Sequence, residues 1–163
     1  MRNFSSKLQH PIFKVVSQVS TKKEVPCYVV GGFVRDLILE RKSKDIDIVV
    51  VGDGMSLAKE IALKLKVKKV SLFKNFGTAH FKYKDIDVEF VGARKESYSK
   101  ESRNPLVKKA SLKEDLQRRD FTINALALNL NNNNFGDLID LFDGISDLEN
   151  QLIKTPYLPL ETY

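Results

Sequence analysis

The chain has 163 residues, 42% of them hydrophobic, enough for one domain with its own core and too few for two full ones. Its 27 Lys and Arg outnumber its 21 Asp and Glu, for a formal net charge of +6 that suits a polyanionic partner and equally serves ordinary solubility. The single cysteine, Cys27, excludes an internal disulfide, and with only two histidines, His10 and His80, no Cys/His zinc site is available.

Pro11 opens a helix expected over residues 11–20, with Ile12, Val15, Val16 and Val19 at helical spacing. After the polar Lys22-Lys23-Glu24, residues 27–31 read as a short apolar strand in which Cys27 is a small core residue. Residues 33–41 switch to helical spacing, with Val34, Leu37 and Ile38 on one face. Residues 45–51 read as a strand: Ile46, Ile48 and Val50 point one way, and Asp45, Asp47, Val49 and Val51 the other. Gly52-Asp53-Gly54 turns the chain into a helix over 55–66, with Leu57, Ile61 and Leu65 inside. Strands over 68–73, 77–83 and 85–91 follow as antiparallel hairpins. Residues 92–111, polar and broken by Pro105, are expected to form a mobile loop. Short helical pieces over 112–118 and 121–126 come next. A hairpin of 127–130 with 135–139 across Asn131-Asn132-Asn133-Asn134, and a last helical stretch over 146–152, complete the chain. The order predicts a mixed α/β (α+β) fold: a mostly antiparallel sheet of about five strands with helices packed on one side. No apolar run approaches the ~20 residues of a membrane span. Residues 1–10 lack the apolar stretch of a signal peptide, so no membrane partner and a cytoplasmic setting are expected.

Two short segments carry chemistry. Gly31-Gly32-Phe33-Val34-Arg35-Asp36 places two glycines between a strand and a helix. Glycine lets a phosphate approach the backbone closely, the following helix aims free N–H groups at it, and Arg35 reaches the same anion with a forked guanidinium. Asp36 caps the turn or pairs with a basic neighbour. Gly-Gly alone more often marks a plain strand-to-helix turn, and neither a Rossmann fingerprint nor a P-loop is present. Asp45 and Asp47, two apart on a strand, leave the same face with Cα atoms ~6.5–7 Å apart, a spacing suited to Mg²⁺. Residues 85–91 repeat the design, with Asp85, Asp87 and Glu89 on one face and Ile86, Val88 and Phe90 on the other. If the two strands are neighbours, a third carboxylate joins the pair, and alternation does not choose between Asp87 and Glu89. Arg118-Arg119-Asp120-Phe121-Thr122-Ile123-Asn124-Ala125 is a second basic cluster, in which Asp120 is placed to cap a helix starting near Phe121.

In order, GGFVRD, DIDIVV, FGTAHF, VEFVGARKESY, RRDFTINALAL and LIDLFDGISDL resemble the head domain of class II tRNA nucleotidyltransferases, the CCA-adding enzymes. These belong with bacterial poly(A) polymerases in the polymerase-beta-like superfamily. The resemblance covers residues 27–155 and implies a catalytic head over residues 1–155. It implies that Gly31, Gly32 and Arg35 contact the nucleotide, and that Asp45 and Asp47 hold two Mg²⁺ ions. Glu89, five residues before Arg94, takes the third acidic position. It further implies that Arg119 binds the phosphates, with Asp120 and Asn124 assisting. Asp140, Gly144 and Asp147 match a flexible hinge toward a neck domain, and 92–111 matches a mobile loop beside the catalytic strands. The implied partners are ATP, CTP and a tRNA 3′ end, joined by nucleotidyl transfer with release of pyrophosphate.

The neck that selects C or A is not among these residues, and residues 156–163 read as the start of a linker toward it. These residues alone are therefore expected to transfer poorly or not at all. CCA-, CC- and A-adding enzymes are not separable from them, and no oligomeric state follows. Two rivals remain: a poly(A) polymerase of the same superfamily, and a non-catalytic module binding nucleotide or RNA. Ala125-Leu126-Ala127-Leu128 after RRDFTIN resembles the tRNA branch more than the poly(A) branch. Three clustered acids give a pure anion binder nothing.

Overall fold

A computed structural model describes residues 2–98, 105–109 and 111–156. Residues 99–104 and 110, within the expected loop, and residues 157–163, in the expected linker, lie outside the described residues.

The core of the fold is one sheet of seven strands. These are β1 (Cys27–Val30), β2 (Asp45–Val50), β3 (Val70–Phe73), β4 (Thr78–Tyr83), β5 (Ile86–Gly92), β8 (Leu126–Asn129) and β9 (Leu138–Asp140). Their spatial order is β3-β4-β5-β2-β1-β8-β9. The C-terminal hairpin of β8 and β9 extends the same sheet from the β1 edge, so the count is seven where about five were expected. Only β2 and β5 pair in parallel, and every other neighbour is antiparallel.

Alternation decides the two faces. Cys27, Val29, Ile46, Ile48, Val50, Ala79, Phe81, Val88, Phe90, Leu126 and Leu128 bury one face. Against them pack α1 (Pro11–Lys22), α2 (Gly32–Ile38) and α3 (Gly54–Lys64), through Phe13, Val16, Val34, Leu57 and Ile61. Each large side chain so buried stabilises the fold by about 1.5–3 kcal/mol. Helix α1 starts where the His10 ring nitrogen accepts from the Ile12 N–H at 3.2 Å, and α3 where Asp53 accepts from the Ser56 N–H at 3.1 Å. Burial pushes the Cys27 thiol up, as befits a core residue.

The opposite face corrects the expectation that the helices share one side. There Val30, Val49, Ala93, Ala125 and Ala127 leave room for Leu116 of α4 (Leu112–Gln117). A capping box opens this helix: the Glu114 N–H donates to the Ser111 hydroxyl at 3.3 Å, and the Ser111 N–H to the Glu114 carboxylate at 3.4 Å.

Three other expectations change. The segment 92–111 is not a plain loop: β6 (Arg94–Tyr98) and β7 (Pro105–Lys109) pair antiparallel as a separate two-stranded ribbon. A polar ribbon carries no apolar alternation to reveal it, and Pro105 stands at the first strand position, where proline is tolerated. The helical piece expected over 121–126 contracts to one 3-10 turn, Thr122–Asn124, because Leu126 already pairs in β8. The last helix, α5 (Gly144–Glu149), begins two residues earlier than expected. Among the described residues, no helix is long and apolar enough to cross a membrane.

Helix α5 is tied closely to the 3-10 turn. The Asp140 carboxylate accepts from the Gly144 and Ile145 N–H groups at 2.7 and 3.0 Å. The Thr122 hydroxyl donates to buried Asp147 at 2.6 Å, and Lys154 stands 3.5 Å from the same carboxylate. The three positions matching a hinge thus form a bonded corner. A Cβ at Gly144 would be driven into the Thr122 carbonyl oxygen and lie 2.9 Å from Leu126 Cδ2. Gly144→Ala is expected to cost about 2 kcal/mol, lowering the melting temperature by roughly 4–8 °C. A thermal melt within 1 °C of the parent (an order-of-magnitude threshold from the same scaling) would contradict this packing.

Candidate active site

The carboxylates stand on the α4 face of the sheet because Ile46, Ile48, Val88 and Phe90 are drawn to the other. The parallel pairing of β2 with β5 sets Asp45 beside Asp87 and Asp47 beside Glu89. Both residues that alternation left open are therefore neighbours of the pair, at different heights. Asp87 is engaged from the far side, where His80 Nε2 on β4 lies 3.2 Å from its carboxylate. Glu89 faces Asp47. Asp85 falls in the turn before β5, so the four-carboxylate face contains Asp45, Asp47, Asp87 and Glu89 without it.

Burial holds the Asp47 carboxyl above the usual carboxylate range, and the charges of Glu89 and Asp45 push it further the same way, while Arg119 opposes them. The half-buried Asp47 thus sits in crowded negative potential that a cation would relieve. All candidate donors are carboxylate oxygens, the chemistry a hard divalent ion takes. Among the described residues, no three His, Cys, Asp or Glu side chains converge tightly enough to cage an ion by themselves. Mg²⁺ is commonly held by one or two carboxylates together with substrate phosphates.

Above the carboxylates, Gly31 ends β1 with φ +74, a left-handed conformation that favours glycine. A Cβ there would lie 3.2 Å from Arg119 Nη1 and 3.9 Å from Asp47 Oδ2, so Gly31 brings the backbone between these two side chains. Gly32 opens α2, with Arg35 Nη2 3.3 Å from where its Cβ would be. Arg35 is fixed on two sides, donating from Nε to Asp36 at 3.0 Å and from Nη1 to Asn124 Oδ1 at 2.8 Å. Asn124 in turn donates to Asp120 at 3.1 Å, and Asp120 accepts from the Phe121 N–H at 2.8 Å. Gly31, Gly32, Arg35, Asp47, Arg119, Asp120 and Asn124, read from separate segments, therefore meet around one end of β1.

One residue of this arrangement escaped the sequence reading. Asp115 on α4 is fully buried and takes both arginines: Arg118 Nη2 at 3.1 Å and Arg119 Nη2 at 3.2 Å. The Nε atoms of both arginines are buried without a hydrogen-bond partner. The signal was available, since an acid three and four residues before a pair of arginines faces them on a helix.

Residues 27–154 match the family model of the poly A polymerase head domain. An A-adding tRNA nucleotidyltransferase of Aquifex aeolicus (strain VF5) is 48% identical over 127 residues, 78% of this chain and 15% of that protein. A solved CCA-adding enzyme, apo form II, superposes with a TM-score of 0.84 at 38% identity, over 96% of this chain and 38% of that one. A tRNA nucleotidyltransferase complexed with a primer tRNA and an incoming ATP analog superposes with a TM-score of 0.75 at 42% identity, over 87% of this chain and 39% of that one. The chain thus spans between 15% and 39% of the length of these relatives. With the family model matched across β1 to α5, and the sheet shared with these solved structures, the chain belongs to the poly A polymerase head domain family.

Proposed function

We propose that residues 1–155 are the catalytic head of a tRNA nucleotidyltransferase, transferring AMP, or CMP and AMP, from ATP or CTP to a tRNA 3′ end. The observation that carries this reading is the meeting of Asp47, Glu89 and Arg119 at the Gly31 turn. In the reaction, the terminal 3′-oxygen of the tRNA forms a bond to the α-phosphorus, the α–β phosphoanhydride bond breaks, and pyrophosphate leaves. Arg119, seated on Asp115, and Arg35, seated on Asn124, hold the triphosphate by charge-assisted hydrogen bonds. Gly31 and Gly32 let it approach the backbone, and Asp120 keeps Asn124 oriented. Asp45, Asp47 and Glu89 would hold Mg²⁺, which when bound neutralises charge at the reacting phosphate and acidifies the attacking hydroxyl. The chain's main contribution is positioning and fixed charge, as phosphoryl chemistry requires.

The names of the relatives support tRNA as acceptor, a substrate compatible with a cytoplasmic setting. The 48% identity to an A-adding enzyme favours addition of A alone. The test is transfer by the full natural reading frame containing this chain. It is supplied with Mg²⁺, a tRNA ending before CCA or after CC, and labelled ATP or CTP. A single A added only to the CC-ended tRNA is the expected result. Addition of C, C and A would assign a CCA-adding enzyme, and a long A tail a poly(A) polymerase. Nucleotide binding without any transfer would reduce the protein to a binding module.

A further inference from the structure

A cleft of ≈ 650 Å³ opens at the β3–β4 edge of the sheet that carries the carboxylates. Five of its lining residues are lysines, Lys66, Lys68, Lys69, Lys82 and Lys84, and its one carboxylate, Asp87, is engaged by His80. The fold gathers them deliberately close. Helix α3 stops at Lys64, Lys66 turns the chain with φ 60, and Lys68 and Lys69 arrive just before β3. Lys82 and Lys84 come from the end of β4 and the turn after it. Among the described residues none of the five forms an ion pair.

Register links this cleft to the carboxylates. Asp47, Glu89, His80 and Ser71 are successive partners across β2, β5, β4 and β3, and one row away Asp45, Asp87 and Lys82 are successive partners. Three strand spacings separate Asp47 from Ser71, roughly 14 Å. Val70 and Leu72 pack into the core, so Ser71 and Phe73 project on the carboxylate face. Phe73 is 51% exposed, and Phe76 in the following turn is 56% exposed. Phe73 ends β3, four residues and roughly 13 Å along the strand from Lys69. A file of cations that runs on to exposed aromatic rings is a combination that holds single-stranded nucleic acid, the cations on phosphates and the rings on bases.

We propose that the β3–β4 edge is a track for single-stranded RNA leading to the carboxylates, its backbone held by Lys68, Lys69 and Lys82 and a base stacked on Phe73. The inference rests on the nucleotidyl-transfer reading above and names where in the head its RNA runs. The test uses the 163-residue chain. Its probe is a 5′-labelled 12-nucleotide RNA of mixed sequence (a length of order one binding site), followed by fluorescence anisotropy across a salt series. The triple variant Lys68→Gln, Lys69→Gln, Lys82→Gln is expected to lose about tenfold or more in affinity at low salt. Its slope of log affinity against log salt should fall by about 2, at ~0.7 per phosphate contact removed. Phe73→Ala should lose about tenfold with its salt slope unchanged, because stacking releases no counterions.

RNA binding that survives the triple variant with the parental slope overturns the track. So does oligoglutamate competing as well as RNA, which would mark a surface for acidic proteins instead. Mg–ATP binding, followed in the same samples, reports on the nucleotidyl-transfer reading separately and should be equal in parent and variants. If the parent binds Mg–ATP but no RNA, the track alone fails. If it binds neither, both readings fail.

Discussion

Asp47→Asn is expected to remove nucleotidyl transfer by about 10³-fold or more, and at the same time to raise the melting temperature of the metal-free protein at neutral pH. Both effects come from the same crowding. Asp47 is half-buried between Glu89, Asp45 and the β1 end, and its carboxyl is held above the usual range chiefly by burial and then by those two charges. A carboxyl whose folded value is raised contributes stability that is present below the ordinary carboxylate range and is lost as pH rises through the raised value. At pH 7.5 the ionised Asp47 is therefore a net cost to the empty fold. The isosteric amide removes that charge and leaves the packing. Its stability advantage should shrink as pH falls into the carboxylate range, where the parent is protonated too. Added Mg²⁺ should then raise the melting temperature of the parent and scarcely move the variant, since only a species bound to the native state stabilises it. Melting curves at pH 7.5 and pH 4 with and without Mg²⁺, beside a transfer assay, test all three parts. A variant that melts lower than the parent at pH 7.5, or that keeps a tenth of its activity, would show that Asp47 is a structural acid.

The strands that carry these acids were legible because their two faces have opposite demands. Ile46, Ile48 and Val50 alternate with Asp45 and Asp47, and Val88 and Phe90 with Asp87 and Glu89. Alternation says which side chains share a face of one strand, but register between strands is a property of the assembled sheet. That is why alternation alone did not show that Asp87 lies beside Asp45 and Glu89 beside Asp47, which the parallel β2–β5 pairing does. The ribbon of β6 and β7 was hidden for a related reason: Arg94-Lys95-Glu96-Ser97 has no apolar face to bury, and only its pairing with 105–109 makes it a strand. The cradle at Gly31 was half legible. Two glycines between strand and helix marked the turn, yet nothing local tells that Arg119, eighty-eight residues on, comes within 3.2 Å of where a Gly31 side chain would begin.

Asp115→Ala is expected to damage both the fold and the nucleotide site, and a graded series separates the two. The carboxylate is wholly buried and holds Arg118 and Arg119, whose side chains are only 24% and 18% exposed. Removing it leaves two guanidiniums close together without their shared counter-charge. Breaking a buried pair from one side costs about 3–5 kcal/mol, or roughly 6–20 °C in melting temperature for a chain of this size. Asp115→Asn keeps the shape and one carbonyl acceptor while losing the charge, so it should stand between alanine and the parent in stability. The functional consequence runs through Arg119. Without the bond at 3.2 Å to anchor it, the guanidinium no longer stays beside Gly31 and Asp47. Mg–ATP affinity should fall about tenfold in Asp115→Asn, one charge-assisted bond being worth ~1.5 kcal/mol or more. A double-mutant cycle with Arg119→Ala decides whether that loss is positional. If Asp115 acts by seating Arg119, then once Arg119 is gone Asp115→Asn should cost no further nucleotide affinity, although the melting temperature still drops because Arg118 has lost its counter-charge. Losses in affinity that simply add would mean that Asp115 supports the helix α4 face and leaves the placement of the phosphate-binding arginine to other contacts.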